Sequence, residues 1–449
     1  MPKVGMVSLG CSKNQVDAER MLAALKAEGF ELGSDPALCD AVIVNTCGFI
    51  EDAKQESIEN ILEFITLKGE GRVKVIAVTG CLAERYREQV AQELPEVDVI
   101  LGIGSNDLLA SALRKALEGE SIMAFGEKES LSLEGDRILG NLPYFAYLKI
   151  AEGCDNRCSY CAIPLIRGGF RSRPMDNIVA EAKDLAAKGV TELNVVAQDT
   201  TRYGEDIYGR LALPELLDQL CEIDGLRWIR VLYCYPDRVT DQLLEVMARQ
   251  EKIVKYIDLP MQHVSGRILK EMNRRGDYDS LKALVEKIRD AIPGVAVRTT
   301  FITGFPGETE EEFEELCRFV EELRFDRMGC FAYSREEDTP AYDYDGQLDD
   351  EVKARRAEVL MEIQMGIAAE LAQDKIGEEL TVLCEGFDRY AESWFGRSYM
   401  DAPDIDTKVF FSTAYPVKPG DYVPVVVEDS MDYDLIGTAI PAEDAITED

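Results

Sequence analysis

Three cysteines, Cys154, Cys158 and Cys161, stand in the stretch EGCDNRCSYCAIP with the spacing C-x3-C-x2-C. Thiolates grouped this tightly are soft ligands suited to iron or zinc. A structural zinc site or a ferredoxin-type cluster takes four protein ligands. Here a fourth cysteine is missing, and histidine is a poor source, because the chain has only His263. A cubane iron–sulfur cluster on three thiolates leaves one iron open to an outside ligand, a catalytic arrangement in the way that an open position on zinc is. The loop follows YLKIAEG, which reads as the first strand of a barrel-like domain. Carboxyl ends of barrel strands are where catalytic residues sit.

A second set lies upstream. Cys11 follows MVSLG, Cys47 follows VIVNT and Cys81 follows IAVTG, at gaps of 36 and 34 residues. Each gap is about one strand–helix–strand repeat. In a parallel sheet the carboxyl ends of successive strands share one edge, where ligands bind. The three thiols are therefore expected to converge, with Gly10, Gly48 and Gly80 allowing tight turns beside a cofactor. This set too has three ligands and no fourth. Buried core cysteines are the competing reading, and it is the one adopted for the single cysteines Cys39, Cys221, Cys234, Cys317, Cys330 and Cys384.

The elements that would hold these residues fall into three groups. The 449 residues are too many for one core. Residues 1–140 alternate Val/Ile-rich strand runs with amphipathic helices, as a parallel α/β domain does. Its end, LEGESIMAFGEKESLSLEGDR, reads as a linker. Residues 141–375 carry six more strand–helix units, too few for an eight-unit barrel, so a partial (β/α)6 barrel is expected. Residues 376–449 switch to short alternating strands and read as a small antiparallel β-barrel. This last segment has 17 acidic against 4 basic residues, net −13, within a chain of net charge −36. Such a field opposes a phosphate backbone and favours a basic partner. No apolar run reaches the roughly 18 residues a membrane helix needs, and the start lacks signal-peptide character. A cytoplasmic enzyme is expected, with no membrane partner.

The loop Cys154-x3-Cys158-x2-Cys161, with Tyr160 before its last cysteine, resembles the signature of radical S-adenosylmethionine (SAM) enzymes. That likeness implies that SAM binds the open iron and is cleaved there to a 5′-deoxyadenosyl radical, making these three cysteines the catalytic set. Over nearly the whole length the three-domain order resembles the radical SAM methylthiotransferases, and the tail GEELTVLCEGF…GRSYMDAPDID…GDYVPVVVEDSMDYDLIG resembles a TRAM (OB-like) domain. The resemblance implies two [4Fe–4S] clusters, the second held by Cys11, Cys47 and Cys81 and bearing the sulfur to be inserted, and two SAM molecules. GCSKN (10–14), NTCGFIEDAK (45–54) and CAIPLIRGGFRSRP (161–174) are similar to the branch that methylthiolates an aspartate β-carbon of the twelfth small-subunit ribosomal protein, rather than to the branch acting on tRNA adenosine. The implied partners are that ribosomal protein or the ribosome and an electron-donor protein, with tRNA disfavoured. A two-cluster electron carrier is the non-enzymatic alternative.

Further expectations follow from position. Gln198 and Asp199 end one predicted strand, and Thr303-Gly304-Phe305-Pro306-Gly307 follows another, so both segments lie at the barrel mouth. Tyr160, Gln198, Thr303 and Gly304 are the expected SAM contacts, resembling those regions of radical SAM barrels. Arg167, Arg171 and Arg173 form either a basic rim of the site or solvated loop charge. His263 is read as structural or as a contact, without a catalytic proton. Trp394 and Phe395 are candidate aromatics of a partner surface or core of the small barrel.

Overall fold

The computed structural model describes residues 1–140 and 142–441. Asn141, where the second domain is expected to start, and residues 442–449 of the expected third domain lie outside the described residues. Six N-terminal strands, β1 (Lys3–Ser8), β2 (Glu31–Leu32), β3 (Ala41–Thr46), β4 (Val75–Gly80), β5 (Val99–Leu101) and β6 (Ile122–Ala124), form one parallel sheet in the order β2-β1-β3-β4-β5-β6. β3 and β4 are fully buried Val/Ile runs, as strands covered on both faces must be. The expected linker is corrected here: its Ile122–Ala124 is the edge strand β6, paired with β5. Three edge residues are too few to show a period-two pattern.

β7 (Phe145–Lys149) opens the second unit, followed by the short pair β8 (Ala151–Glu152) and β9 (Arg171–Ser172). The sheet continues with β10 (Glu192–Val196), β11 (Trp228–Val231), β12 (Ile253–Asp258), β13 (Ala296–Thr303) and β14 (Arg327–Ala332). All pair in parallel in the order β7-β10-β11-β12-β13-β14, the partial barrel of six strands. One face of these strands joins the surrounding helices in the largest apolar core.

The small barrel is closed by β15 (Glu379–Asp388), β16 (Ser393–Arg397), β17 (Val409–Ser412), β18 (Tyr422–Met431) and β19 (Asp434–Ala439). It differs from an all-antiparallel barrel in one pair, since β17 and β19 run parallel. Its core is continuous with the other face of the six-stranded sheet, through Phe145, Tyr147, Trp228 and Tyr256. Arg397 donates to Glu192 at 2.6 Å, Arg327 to Asp401 at 2.6 Å, Arg298 to Asp406 at 3.3 Å and Tyr147 to Asp404 at 3.3 Å. Part of the acidic excess of this domain is thus spent inside the molecule.

These pairs carry a prediction. Burial alone would raise the carboxyls of Glu192 and Asp401, but Arg397 and Arg230 around Glu192, and Arg327 beside Asp401, outweigh it and hold both below their ordinary values. A depressed carboxyl contributes stability in full above its ordinary value, 4.5 for Glu192, and loses it as pH falls through the folded value. Asp406, lifted by burial despite Arg298, offsets part of this. Docking of the small barrel is expected to weaken below pH about 4.5, read from the fluorescence of Trp228, whose ring meets Tyr422 at 4.9 Å. Glu192→Gln, which takes from buried Arg230 its carboxylate and leaves Arg397 with Glu385, should cost about 3 kcal/mol in denaturant unfolding. A cost under about 1 kcal/mol would show that the pairing does not hold the domains together.

Candidate active site

Register brings the first triad together. Ser8 pairs with Asn45 and Thr46 with Gly80, so the chain leaves β1, β3 and β4 along one sheet edge. Cys11 caps the helix Ser12–Ala27, Cys47 follows β3 directly, and Cys81 opens the helix Cys81–Glu93. Two of the three thiols therefore lie at helix N-termini, whose free N–H groups and positive dipole end favour a thiolate. Gly10 has φ 85°, and a Cβ there would lie 2.9 Å from Cys47 Sγ; one at Gly80, φ 93°, would lie 2.5 Å from the Thr46 carbonyl oxygen. Only glycine fits either turn.

The second triad is held on a loop braced from several strands. Cys154 N–H donates to the Gly168 carbonyl at 3.2 Å, Cys161 N–H to that of Cys158 at 3.0 Å, and Ser159 N–H to that of Met272 at 3.1 Å. Asn156 and Arg238 both donate to buried Asp199, at 2.8 and 3.0 Å, so Asp199 anchors the loop. Cys158, nearly buried at 8% exposure, faces two groups that sequence reasoning missed: Tyr235 Oη and Arg274 Nη1, each 3.8 Å from its sulfur, with Arg274 stacked over the Tyr235 ring at 4.2 Å. No local signal marks Arg274, which is 116 residues from Cys158 in sequence.

A buried charge network joins the two units beside Cys81. Arg167 Nη2 donates to Cys81 Sγ at 3.3 Å and to Asn14 Oδ1 at 3.0 Å, while Nη1 meets Asp17 Oδ2 at 2.5 Å and Glu152 Oε2 at 3.4 Å. Lys149 joins the same two carboxylates, reaching Glu152 at 2.7 Å. Gln198 donates to Glu152 at 2.6 Å. Arg167 is 2% exposed, so the reading as solvated loop charge is overturned for it, and Arg173 is likewise buried against Glu134 and Glu181. The charged Lys149 and Glu152 within the apolar YLKIAEG were the available signal.

The other expected residues are placed as follows. Tyr160 is half-buried beside Cys158 and Cys161, and burial, reinforced by those thiols, raises its phenol well above the usual range. Thr303 donates to the Lys353 carbonyl at 3.3 Å, and a Cβ on Gly304 would meet Lys353 Cγ at 2.4 Å. The bare backbone at Gly304 thus admits a residue of the helix Asp350–Gln373. His263 is buried, its Nδ1 accepting from Ser265 N–H at 3.0 Å and its Nε2 lying 3.3 Å from Glu308, as a structural histidine. Trp394 packs edge-on against Phe387 at 5.4 Å and Phe395 near Phe410 at 6.2 Å, both half-buried in the small barrel. Cys39, Cys234 and Cys384 are buried core residues, whereas Cys221, Cys317 and Cys330 are half-buried.

Three thiols in each set are the donor chemistry that a three-point cubane would need. Burial pushes the thiols of Cys154 and Cys81 up to about 11 and about 12 and raises Cys47 and Cys161 as well. Cys11 is exposed to solvent; desolvation by the surrounding chain would raise it, but Lys13 and Arg167 bring it below its ordinary value. Buried thiols of this kind ionise against a metal, releasing their protons as it binds. Among the described residues no trio of His, Cys, Asp or Glu stands close enough to grip a single ion. Each thiolate of a cubane takes a different iron, so its sulfurs stand wider apart than around one ion.

Comparison with known proteins gives three family matches: the Uncharacterized protein family UPF0004 over residues 3–102, the Radical SAM superfamily over 148–320 and the TRAM domain over 376–440. Among curated relatives, "Ribosomal protein uS12 methylthiotransferase RimO" of Thermoanaerobacter sp. (strain X514) is 48% identical, covering 97% of this chain and 100% of the relative. The protein of the same name from Caldanaerobacter subterraneus subsp. tengcongensis is 50% identical over the same shares. Among solved structures, the radical S-adenosylmethionine methyltransferase TsrM of Kitasatospora setae matches with TM-score 0.58 at 16% identity, over 76% of this chain and 77% of that one. The cobalamin-dependent S-adenosylmethionine radical enzyme OxsB matches at 0.52 and 15%, over 80% and 56%. At such identities these two share the fold alone. Among the described residues, no helix is long and apolar enough to cross a membrane.

Proposed function

The chain belongs to the ribosomal protein uS12 methylthiotransferases of the radical SAM superfamily, and from that premise we propose how its residues divide the reaction. Cys154, Cys158 and Cys161 would hold one [4Fe–4S] cluster, which when bound would supply the electron for reductive SAM cleavage and so radical chemistry at an aspartate β-carbon. Cys11, Cys47 and Cys81 would hold a second, which would supply the sulfur, and a second SAM would supply the methyl group. What supports this division is the buried network shared by both units, in which Arg167 meets Asp17 and Cys81 of the N-terminal unit while Lys149 meets Glu152, two residues before Cys154.

The protein's own share is positioning and exclusion of water. Asp199 pins the Cys154–Cys161 loop through Asn156 and Arg238. Glu152 orients Gln198 at the end of β10, where Gln198 and Tyr160 are assigned to face SAM. Thr303 and Gly304, assigned to SAM as well, seat the helix Asp350–Gln373. Arg85 spans the two units, donating to Glu336 at 2.7 Å and to the Gly48 carbonyl at 3.0 Å. A reductant protein supplies electrons, and the substrate is the ribosomal protein, free or in the small subunit, in a cytoplasmic setting.

The test is anaerobic. Protein reconstituted with iron and sulfide is given SAM and a reductant, with ribosomal small subunits and unmodified tRNA offered in parallel. A methylthio adduct on a uS12 aspartate is the expected product by mass spectrometry. An adduct on tRNA alone would overturn the substrate assignment.

A further inference from the structure

Arg167 lies in the sequence with one triad and in space with the other. It ends the helix Ile163–Arg167, which begins two residues after Cys161. That helix presses Ala162 and Ile166 against Cys81 as a small apolar cluster of their own. The guanidinium then closes on Cys81 Sγ at 3.3 Å while its other partners, Asn14, Asp17 and Glu152, hold it from both units. A guanidinium fork fixed by four partners at 2% exposure has no freedom to serve as an adaptable surface charge. It is built to face that sulfur.

We propose that Arg167 is a positioning residue for the N-terminal site: it holds the Cys81 sulfur and, by donating to it, sets the reduction potential of the cluster there. This rests on the assignment of Cys81 as a cluster ligand. A hydrogen bond and a cation at a ligating sulfur stabilise the more negative, reduced form, so they raise the potential. Because Arg167 sits six residues after Cys161, the loop of one site controls the electronics of the other. The carboxylate of Asp17 partly compensates the same cation, so the two residues act with opposite signs.

The experiment is a potentiometric titration followed by electron paramagnetic resonance on the full-length chain. It uses a background in which Cys154, Cys158 and Cys161 are alanine, so that only the N-terminal cluster is loaded. Arg167→Met should lower the reduced-to-oxidised ratio about tenfold at fixed potential, equal to about 59 mV for a one-electron couple. Arg167→Lys, which keeps the charge without the fork, should fall between. Asp17→Asn should shift the potential upward. If Arg167→Met cannot be loaded with iron, the lysine and asparagine variants decide by the sign of their shifts. Potentials that stay at the parent value, or that move in the same direction in Arg167→Lys and Asp17→Asn, would reduce Arg167 to a structural contact and overturn the proposal. A parent chain that takes up no iron at Cys11, Cys47 and Cys81 would instead overturn the cluster assignment beneath it.

Discussion

Cys158→Ala is expected to abolish SAM cleavage. Of the three loop cysteines it is the most enclosed, between Tyr235 and Arg274, and a cluster left with two thiolates has lost a ligand rather than an outer-shell partner. The fall should therefore exceed the roughly 10–100-fold that loss of an outer-shell partner costs. Arg274→Gln supplies that comparison, since it removes a donor to the Cys158 sulfur and leaves all three thiols. The readout is 5′-deoxyadenosine formed anaerobically, alongside iron and sulfide content. Cys221→Ala, at a half-buried cysteine of the helix Leu213–Cys221, should match the parent. Cleavage in Cys158→Ala within tenfold of the parent would remove this loop from the chemistry.

The second large effect separates the two sites. Cys81→Ala should leave SAM cleavage within about tenfold of the parent while the methylthio adduct disappears and iron content falls by about half. The physical reason is that Cys81 belongs to the sheet edge of the N-terminal unit and meets the barrel through Arg167 and the short helix that ends there. The substitution is small in volume, so fold stability should change by no more than about 1–2 kcal/mol. Full adduct formation by this variant would leave the N-terminal triad without a role in sulfur insertion. Loss of SAM cleavage together with the adduct would mean that the two triads do not act independently.

Much of the site was legible before any coordinates. Candidate thiol ligands declare themselves by type, and Cys154, Cys158 and Cys161 are close in sequence, so their spacing is already geometry. Cys11, Cys47 and Cys81 were legible for a different reason. Each follows a strand, and parallel strands one repeat apart must end on one edge, which the pairing of Ser8 with Asn45 and Thr46 with Gly80 bears out. The six strand–helix units and the closed small barrel followed from periodicity. The edge strand β6 did not, because three residues carry no period.

What remained hidden were contacts between charges far apart in the chain. Arg167 and Cys81 are 86 residues apart, and Arg397 and Glu192 are 205. The tail's net charge read as a surface field, yet Asp401 and Asp406 turn inward to Arg327 and Arg298. By itself the sequence determined which residues can ligate, and on which strand ends they stand, because side-chain chemistry and local periodicity are properties of short stretches. Tertiary structure alone decided which arginine faces which thiol or carboxylate. That choice arises when separate units bury their charged faces together, and desolvation then makes every unpaired charge too costly to leave.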